Sequence, residues 1–351
     1  MMAFIIGMCL TLPIALFPQA LLHKMGLIDR IKQNQLALSS GQFCARWLLR
    51  LIPFCAVTTK VVDFSKKKSS SSSVGGGGDA ATTASKSNSN DEDDKQQQQQ
   101  QPEPSIWVCN HTSSLDVFIM LAKDKQLRGK NKRPIKIVYW QGLEDNPITK
   151  LLFRQCGFIP VQMAANAAGE ANDYDMKSFR NLLKMTKQAF QEGFDIGILP
   201  EGQLNPHPEE GLLPAFSGAY TLAKMSKRPI QMMALHGTHK LWHAREDIGM
   251  TVTGREIGLQ WYKHPVDGAV DNNNVGGGRK YTSPDEFVAS FNAVVGAYAT
   301  TGEDLPDDEL EAVLDGSRWV AMQQKEKEEQ ERLLEAEAKD AEDAKTESKA
   351  S

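Results

Sequence analysis

The sequence predicts an α/β fold, a mostly parallel central sheet flanked by helices, with membrane-associated helices at its N-terminus. Three observations predict it. Strand-like and helix-like segments alternate from Ile106 onward. Apolar runs such as IKIVYW (Ile135–Trp140) and PIQMMAL (Pro229–Leu235) have the character of buried strands. Ala3–Leu22, AFIIGMCLTLPIALFPQALL, runs twenty residues without a charge. Strands that alternate with helices imply crossover connections and therefore parallel pairing.

Taken in order, Ala3–Leu22 is long enough to cross a bilayer. It lacks the basic start and small-residue cleavage site of a secretory signal. Pro13 and Pro18 favour a broken or interfacial helix over a straight span. Lys24, Arg30, Lys32, Arg46 and Arg50 follow, and this positive bias keeps what comes next in the cytosol. Gln42–Val57 interleaves Phe43, Trp47, Leu48 and Leu51 with Arg46 and Arg50, as a helix lying among lipid headgroups does. Residues 1–57 are thus expected to anchor the chain; the competing reading makes both segments core helices of a soluble protein. Residues 65–104, rich in Lys, Ser, Gly, Asp and then Gln, can fill no core and read as a disordered insertion between two adjacent strands.

Beyond the insertion, Ile106–Cys109 is a strand, and Leu115, Phe118, Ile119 and Ala122 form an i, i+3, i+4, i+7 stripe. Ile135–Trp140 and Gly157–Val161 are the next strands. Phe179, Leu182, Leu183 and Phe190 mark a helix stopped by Gly193, with FDIGILP following as a strand. Phe216, Ala219, Tyr220 and Ala223 mark another helix before Pro229–Leu235. EIGLQWY alternates as a strand. Ser283, Pro284 and Glu286 then give a cap, a first-turn proline and a capping box. A main domain over 58–315 results. The tail, 316–351, is charged, carries Glu328–Arg332 and Glu335–Lys339 spacings, and lacks a heptad seam, so it reads as a solvated helix or frayed end. A protein partner on it has no further support.

A net charge of −4 gives no reason to expect nucleic acid as a partner. The five cysteines are odd in number and show no CxxC spacing, which reads as reduced thiols and not as a disulfide frame or zinc site.

The chemistry concentrates in WVCNHTSSLD, Trp107–Asp116. Residues five apart on a helix head about 140° apart, so His111 and Asp116 meet only if His111 ends the strand and Asp116 lies in the first helical turn. Thr112, Ser113 and Ser114 are natural caps for such a helix, and a first-turn carboxylate suits its dipole. Asp116 would then hold one imidazole nitrogen while the other faces a substrate hydroxyl.

A second strand ends in ILPEGQLNP, Ile198–Pro206, followed by LLPAFSGAYTLA. With NHTSSLD, NPITKLLFRQCGFIPV and RPIQMMALHGT, these segments resemble, in order and spacing, the glycerolipid acyltransferases typified by lysophosphatidate acyltransferase, from about Cys44 to Tyr298 apart from the insertion. The resemblance implies direct transfer of an acyl group from acyl-CoA, as co-substrate, to the free hydroxyl of a lysophospholipid. His111 would be the general base and Asp116 its orienter. Asn110, Glu201, Gly202 and Gln203 would bind substrate, and no metal, cofactor or acyl-enzyme would be needed. It implies 1-acyl-sn-glycerol 3-phosphate as acceptor, phosphatidic acid as product, and the cytosolic face of the endoplasmic reticulum membrane as location. The pocket would lie between the ends of the strands carrying His111 and Glu201.

Departures bear on the acceptor. The family's third-motif Thr-Arg is Gln203-Leu204 here, the second-motif arginine aligns with Met163, and the lysine common ahead of that motif is replaced at Trp140-Gln141. Neutral side chains do not replace a bidentate phosphate clamp. Arg154, Lys150, Arg180 and Lys240 are the candidates to substitute. A lysophospholipid with a larger head group, such as lysophosphatidylcholine, and an inactive membrane scaffold are the alternatives. Cys109 as a thiol nucleophile and His236, His239 and His243 as zinc ligands are weaker candidates. No G-x-S-x-G elbow or phosphate-binding glycine loop is present.

Overall fold

The computed structural model describes residues 2–52, 55–63, 103–129, 132–162, 176–242, 255–263 and 279–350. The 65–104 insertion, its last two residues apart, falls outside them, as do Met163 and His243. Its centre is a seven-stranded sheet: β1 (Cys55–Asp63), β2 (Ile106–Val108), β3 (Ile135–Trp140), β4 (Ile159–Val161), β5 (Asp195–Ile198), β6 (Ile230–His236) and β7 (Arg255–Lys263), in the order β1-β7-β6-β2-β5-β3-β4. Every neighbouring pair is parallel except β6 with β7. The predicted α/β class is what forms.

β2 is buried at all three positions and β6 at all but its last, the pattern of strands covered on both faces. Edge strand β1 instead alternates between partly buried and exposed positions over most of its length. β1 and β2, consecutive among the described strands, are not sheet neighbours: β7 and β6 lie between them. The expectation of an insertion between adjacent strands holds for the sequence and not for the sheet.

Nine helices among the described residues complete the fold: α1 (Met2–Lys24), α2 (Arg30–Leu49), α3 (Asp116–Arg128), α4 (Pro147–Cys156), α5 (Met176–Gln191), α6 (Gly218–Ser226), α7 (Pro284–Thr301), α8 (Asp307–Asp315) and α9 (Ser317–Ala350). The crossovers through α3 and α4 advance toward the β4 edge, and those through α5 and α6 return toward β6. Right-handed connections therefore put α3 and α4 on one face and α5 and α6 on the other. α2 packs on α3 and α4, α1 on α2 and α4, and α7 on β6 and α6.

Two N-terminal expectations need correction. Pro13 and Pro18 do not break α1, which is continuous while Phe4, Leu12 and Leu16 are buried beneath it. Burial of side chains of this size contributes roughly 1.5–3 kcal/mol each. Gln42–Val57 is not one amphipathic helix: α2 stops at Leu49 and β1 starts at Cys55. Asp29 caps α2 by accepting the Lys32 N–H.

At α7, Ser283 accepts the Glu286 N–H as expected, but the Glu286 carboxylate accepts from Thr282 and pairs with Arg279, so the reciprocal half of the box is displaced by one residue. The tail is helical as α9, with Lys327 and Glu331 paired on its surface.

The amino ends of β2 and β5 are pinned by a buried carboxylate. Asp195 accepts from Ser105 N (3.0 Å), Trp107 Nε1 (3.0 Å) and Arg128 Nη1 (2.9 Å). Burial raises its pKa, and Arg128 opposes that rise. A paired buried charge of this kind fixes β2, β5 and the end of α3 relative to one another.

Candidate active site

Val108 pairs with Ile198 on one side and Met232 on the other, so the segments after β2 and β5 and the end of β6 emerge together at the carboxyl edge of the sheet. β2 is the central strand of the seven. The carboxyl edge is where open α/β sheets bind ligands.

Asn110 is the first polar side chain past β2. Its Nδ2 donates to Leu235 O (2.8 Å) and its Oδ1 accepts from Leu235 N (2.7 Å). The amide therefore continues the β2–β6 ladder one step beyond the strand. His111 follows, and its Nδ1 lies 3.0 Å from Asp116 Oδ2. The same oxygen accepts the N–H groups of Thr112 (2.8 Å) and Ser113 (2.9 Å). Asp116 is completely buried, whereas the His111 side chain is 20% exposed. A carboxylate fixed by two backbone donors at a helix N-terminus holds an imidazole with little freedom. The dyad expected from the sequence is thus brought together.

The expected caps act differently. The position before α3 is Leu115, which makes no side-chain cap, and Ser113 Oγ instead accepts the Leu115 N–H at 3.2 Å. Thr112 Oγ1 shares a hydrogen bond with Thr238 Oγ1 (2.6 Å), tying this turn to the segment after β6.

Asn110 and Glu201, which the resemblance implies hold the acceptor, are both buried and hydrogen-bonded to backbone. Asn110 is fully buried with its amide on Leu235. Glu201 is 1% exposed, and its two oxygens accept backbone N–H groups from His111 (2.6 Å) and Leu213 (2.9 Å). Burial raises the Glu201 carboxyl to about 7, opposed by those two hydrogen bonds and by His111. Gly202 makes the bend that follows with φ +71°, in the left-handed region where glycine carries no Cβ penalty. Gln203 alone of these four is exposed.

Sequence reading missed Asn205, which is buried at the same turn and donates its N–H to His111 O (2.8 Å). An Asn within a Pro- and Gly-rich loop is the usual sign of a side chain that folds its own backbone.

The rival centres are weaker. Cys109 is fully buried, and burial pushes its thiol well up, with Asp116 and Glu201 adding to the rise. Such a thiol does not form the thiolate that a nucleophile requires. His236 directs Nδ1 at Ala299 O (3.0 Å) and packs on Tyr298, His239 lies on the 3-10 turn Thr238–Lys240, and His243 is outside the described residues. Among the described residues, the ligand atoms of His207, Glu209 and Glu210 come within 4.8 Å of one another, on a solvent-facing loop.

Of the candidate cations, Arg154 pairs with Glu144 (2.6 Å), and Arg180 is exposed on α5. Lys240 ends the 3-10 turn that Thr238 ties to Thr112. A cavity of about 590 Å³ lies by β3 and β4 with Tyr139, Glu144 and Arg154 in its wall; an adjoining one of about 540 Å³ adds Trp140 and Lys150. Neither is lined by His111 or Glu201.

Comparison with known proteins agrees with the motifs. A family model described as Acyltransferase matches residues 92–236, which contain β2 through β6 and with them His111, Asp116 and Glu201. These residues carry an acyltransferase-family domain. No curated protein sequence matches the chain. Among solved structures the chain is similar to the 1-acyl-sn-glycerophosphate (LPA) acyltransferase PlsC from Thermotoga maritima, at 15% identity and a TM-score of 0.45, over 78% of this chain and 88% of that one.

Proposed function

We propose that this chain moves a fatty acyl group from acyl-CoA to the free hydroxyl of a lysophospholipid. The observation that carries the reading is the 3.0 Å contact between His111 Nδ1 and Asp116 Oδ2, at the carboxyl edge of the central strand and inside the matched domain. With Nδ1 engaged, His111 Nε2 takes the proton of the glycerol hydroxyl as its oxygen attacks the thioester carbonyl. The new C–O ester bond forms, the C–S bond breaks, and the imidazolium returns its proton to the departing thiolate. Asp116 stabilises the imidazolium between these steps. Asn110 and Glu201 serve by position, holding β6, the His111 backbone and Leu213 together.

The proposed acceptor is 1-acyl-sn-glycerol 3-phosphate, giving phosphatidic acid. One observation favours a second reading: Leu204 stands where the family carries its arginine, so a lysophospholipid with a larger head group is the alternative.

The proposed partner surface is a bilayer. Ile6, Leu10, Ile14, Phe17 and Leu21 form an exposed stripe along α1, and Phe43 and Trp47 are exposed on α2. α1 is apolar and long enough to cross a membrane, but its packing on α2 and α4 supports a helix lying in the interface beside its domain. The basic residues Lys24, Arg30 and Lys32 support a cytosolic side.

Labelled acyl-CoA supplied with a panel of lysophospholipids tests the reading. Labelled diacyl product with release of free CoA thiol supports it, and the best acceptor in the panel decides between the two head-group readings. Failure with every acceptor favours the inactive scaffold.

A further inference from the structure

Asn205 has no part in the transfer derived above, yet it is 1% exposed and sits at the hub of the loop after β5. Its Nδ2 donates to Gly211 O (2.6 Å) and its Oδ1 accepts the His207 N–H (2.9 Å), so one buried amide folds the stretch from residue 205 to residue 211. The folded stretch presents the Asn205 N–H to His111 O at 2.8 Å. Four residues earlier, Glu201 takes the N–H of the same His111 at 2.6 Å. One loop therefore grips both backbone polar groups of the histidine.

His111 needs that grip. It lies between β2 and α3, outside regular structure, where no ladder or helix fixes its dihedral angles. The Asp116 contact fixes only the Nδ1 side of the ring. Rotation of the His111 backbone would swing Nε2 while that contact adjusts. We propose that Asn205 is a positioning residue that, together with Glu201, clamps the His111 backbone and so aims its imidazole at the acceptor hydroxyl. The inference rests on the general-base reading of His111. A displacement of about 1 Å at a reacting group can cost about 10²-fold in rate.

The test compares native protein, Asn205→Ala and His111→Ala. It follows kcat and KM for acyl transfer, thermal unfolding, and the rate at which diethyl pyrocarbonate modifies His111, read by peptide mass spectrometry. The clamp predicts that Asn205→Ala lowers kcat by about 10- to 100-fold with KM within about threefold. It also predicts several-fold faster His111 modification. Should Asn205→Ala fail to fold, Asn205→Asp keeps the acceptor for His207 and loses the donor to Gly211. It is then expected to show the same pattern more weakly.

Native kcat and an unchanged modification rate in a folded Asn205 variant would overturn the clamp while leaving acyl transfer by His111 standing. A lower unfolding temperature with an unchanged His111 modification rate in Asn205→Ala would make Asn205 purely structural and overturn it too. Full activity of His111→Ala would overturn the general-base reading and the clamp together.

Discussion

Asn110 and Leu235 exchange two hydrogen bonds, 2.8 and 2.7 Å long, two residues past the end of β2 and immediately before His111. A side-chain amide substitutes here for a missing peptide, and β6 is thereby fixed beside the dyad. Replacing Asn110 by Ala strands a buried N–H and C=O on Leu235. The expected cost is about 1–3 kcal/mol, measured as a shift in the denaturant midpoint with unchanged slope. Activity per folded molecule should fall as well.

Asp116 binds His111 and two backbone N–H groups through one oxygen. Asp116→Asn keeps the shape but removes the charge that stabilises the imidazolium. By analogy with the orienting aspartate of a serine-protease triad, kcat should drop by about 10⁴-fold with KM little changed. Steady-state kinetics on the purified variant checks this.

Glu201 gives a pH dependence of stability with a definite sign. Its folded-state pKa is raised to about 7, against an ordinary 4.5, so between those values the folded state binds the extra proton. Unfolding free energy should therefore decline as pH rises from about 4.5 to 7, by about 3 kcal/mol from this group, and level off above. Glu201→Gln should lack this component. Chemical denaturation of both proteins across that range would reveal the difference.

The outer face of α1 carries Ile14 at 73% and Phe17 at 64% exposure. Exchanging both for Glu leaves the buried Leu12 and Leu16 contacts intact while removing apolar area from the proposed membrane face. The double variant should unfold at the native temperature yet fail to float with liposomes in a density gradient.

What the sequence revealed was local. The cap at Ser283, the glycine stop at Gly193 and the apolar runs of β3 and β6 obey rules that act within a few residues. His111 and Asp116 were legible for the same reason, since a strand end and a first helical turn bring them together over five residues. The order β1-β7-β6-β2-β5-β3-β4 was not legible, because strand neighbours are chosen by packing between distant segments. Glu201 carries a substrate role only through the resemblance; its burial was not legible because its partner Leu213 lies twelve residues on. The α2–β1 boundary was missed because LIPFCAV, Leu51–Val57, is apolar throughout and its period marks neither helix nor strand.

Turnover by His111→Ala, with saturating acyl-CoA and the acceptor that native protein uses best, decides whether His111 is the general base. With His111 as the base, acylation falls to background while unfolding temperature and membrane recovery stay native. Acylation at the native rate in that variant would contradict that role.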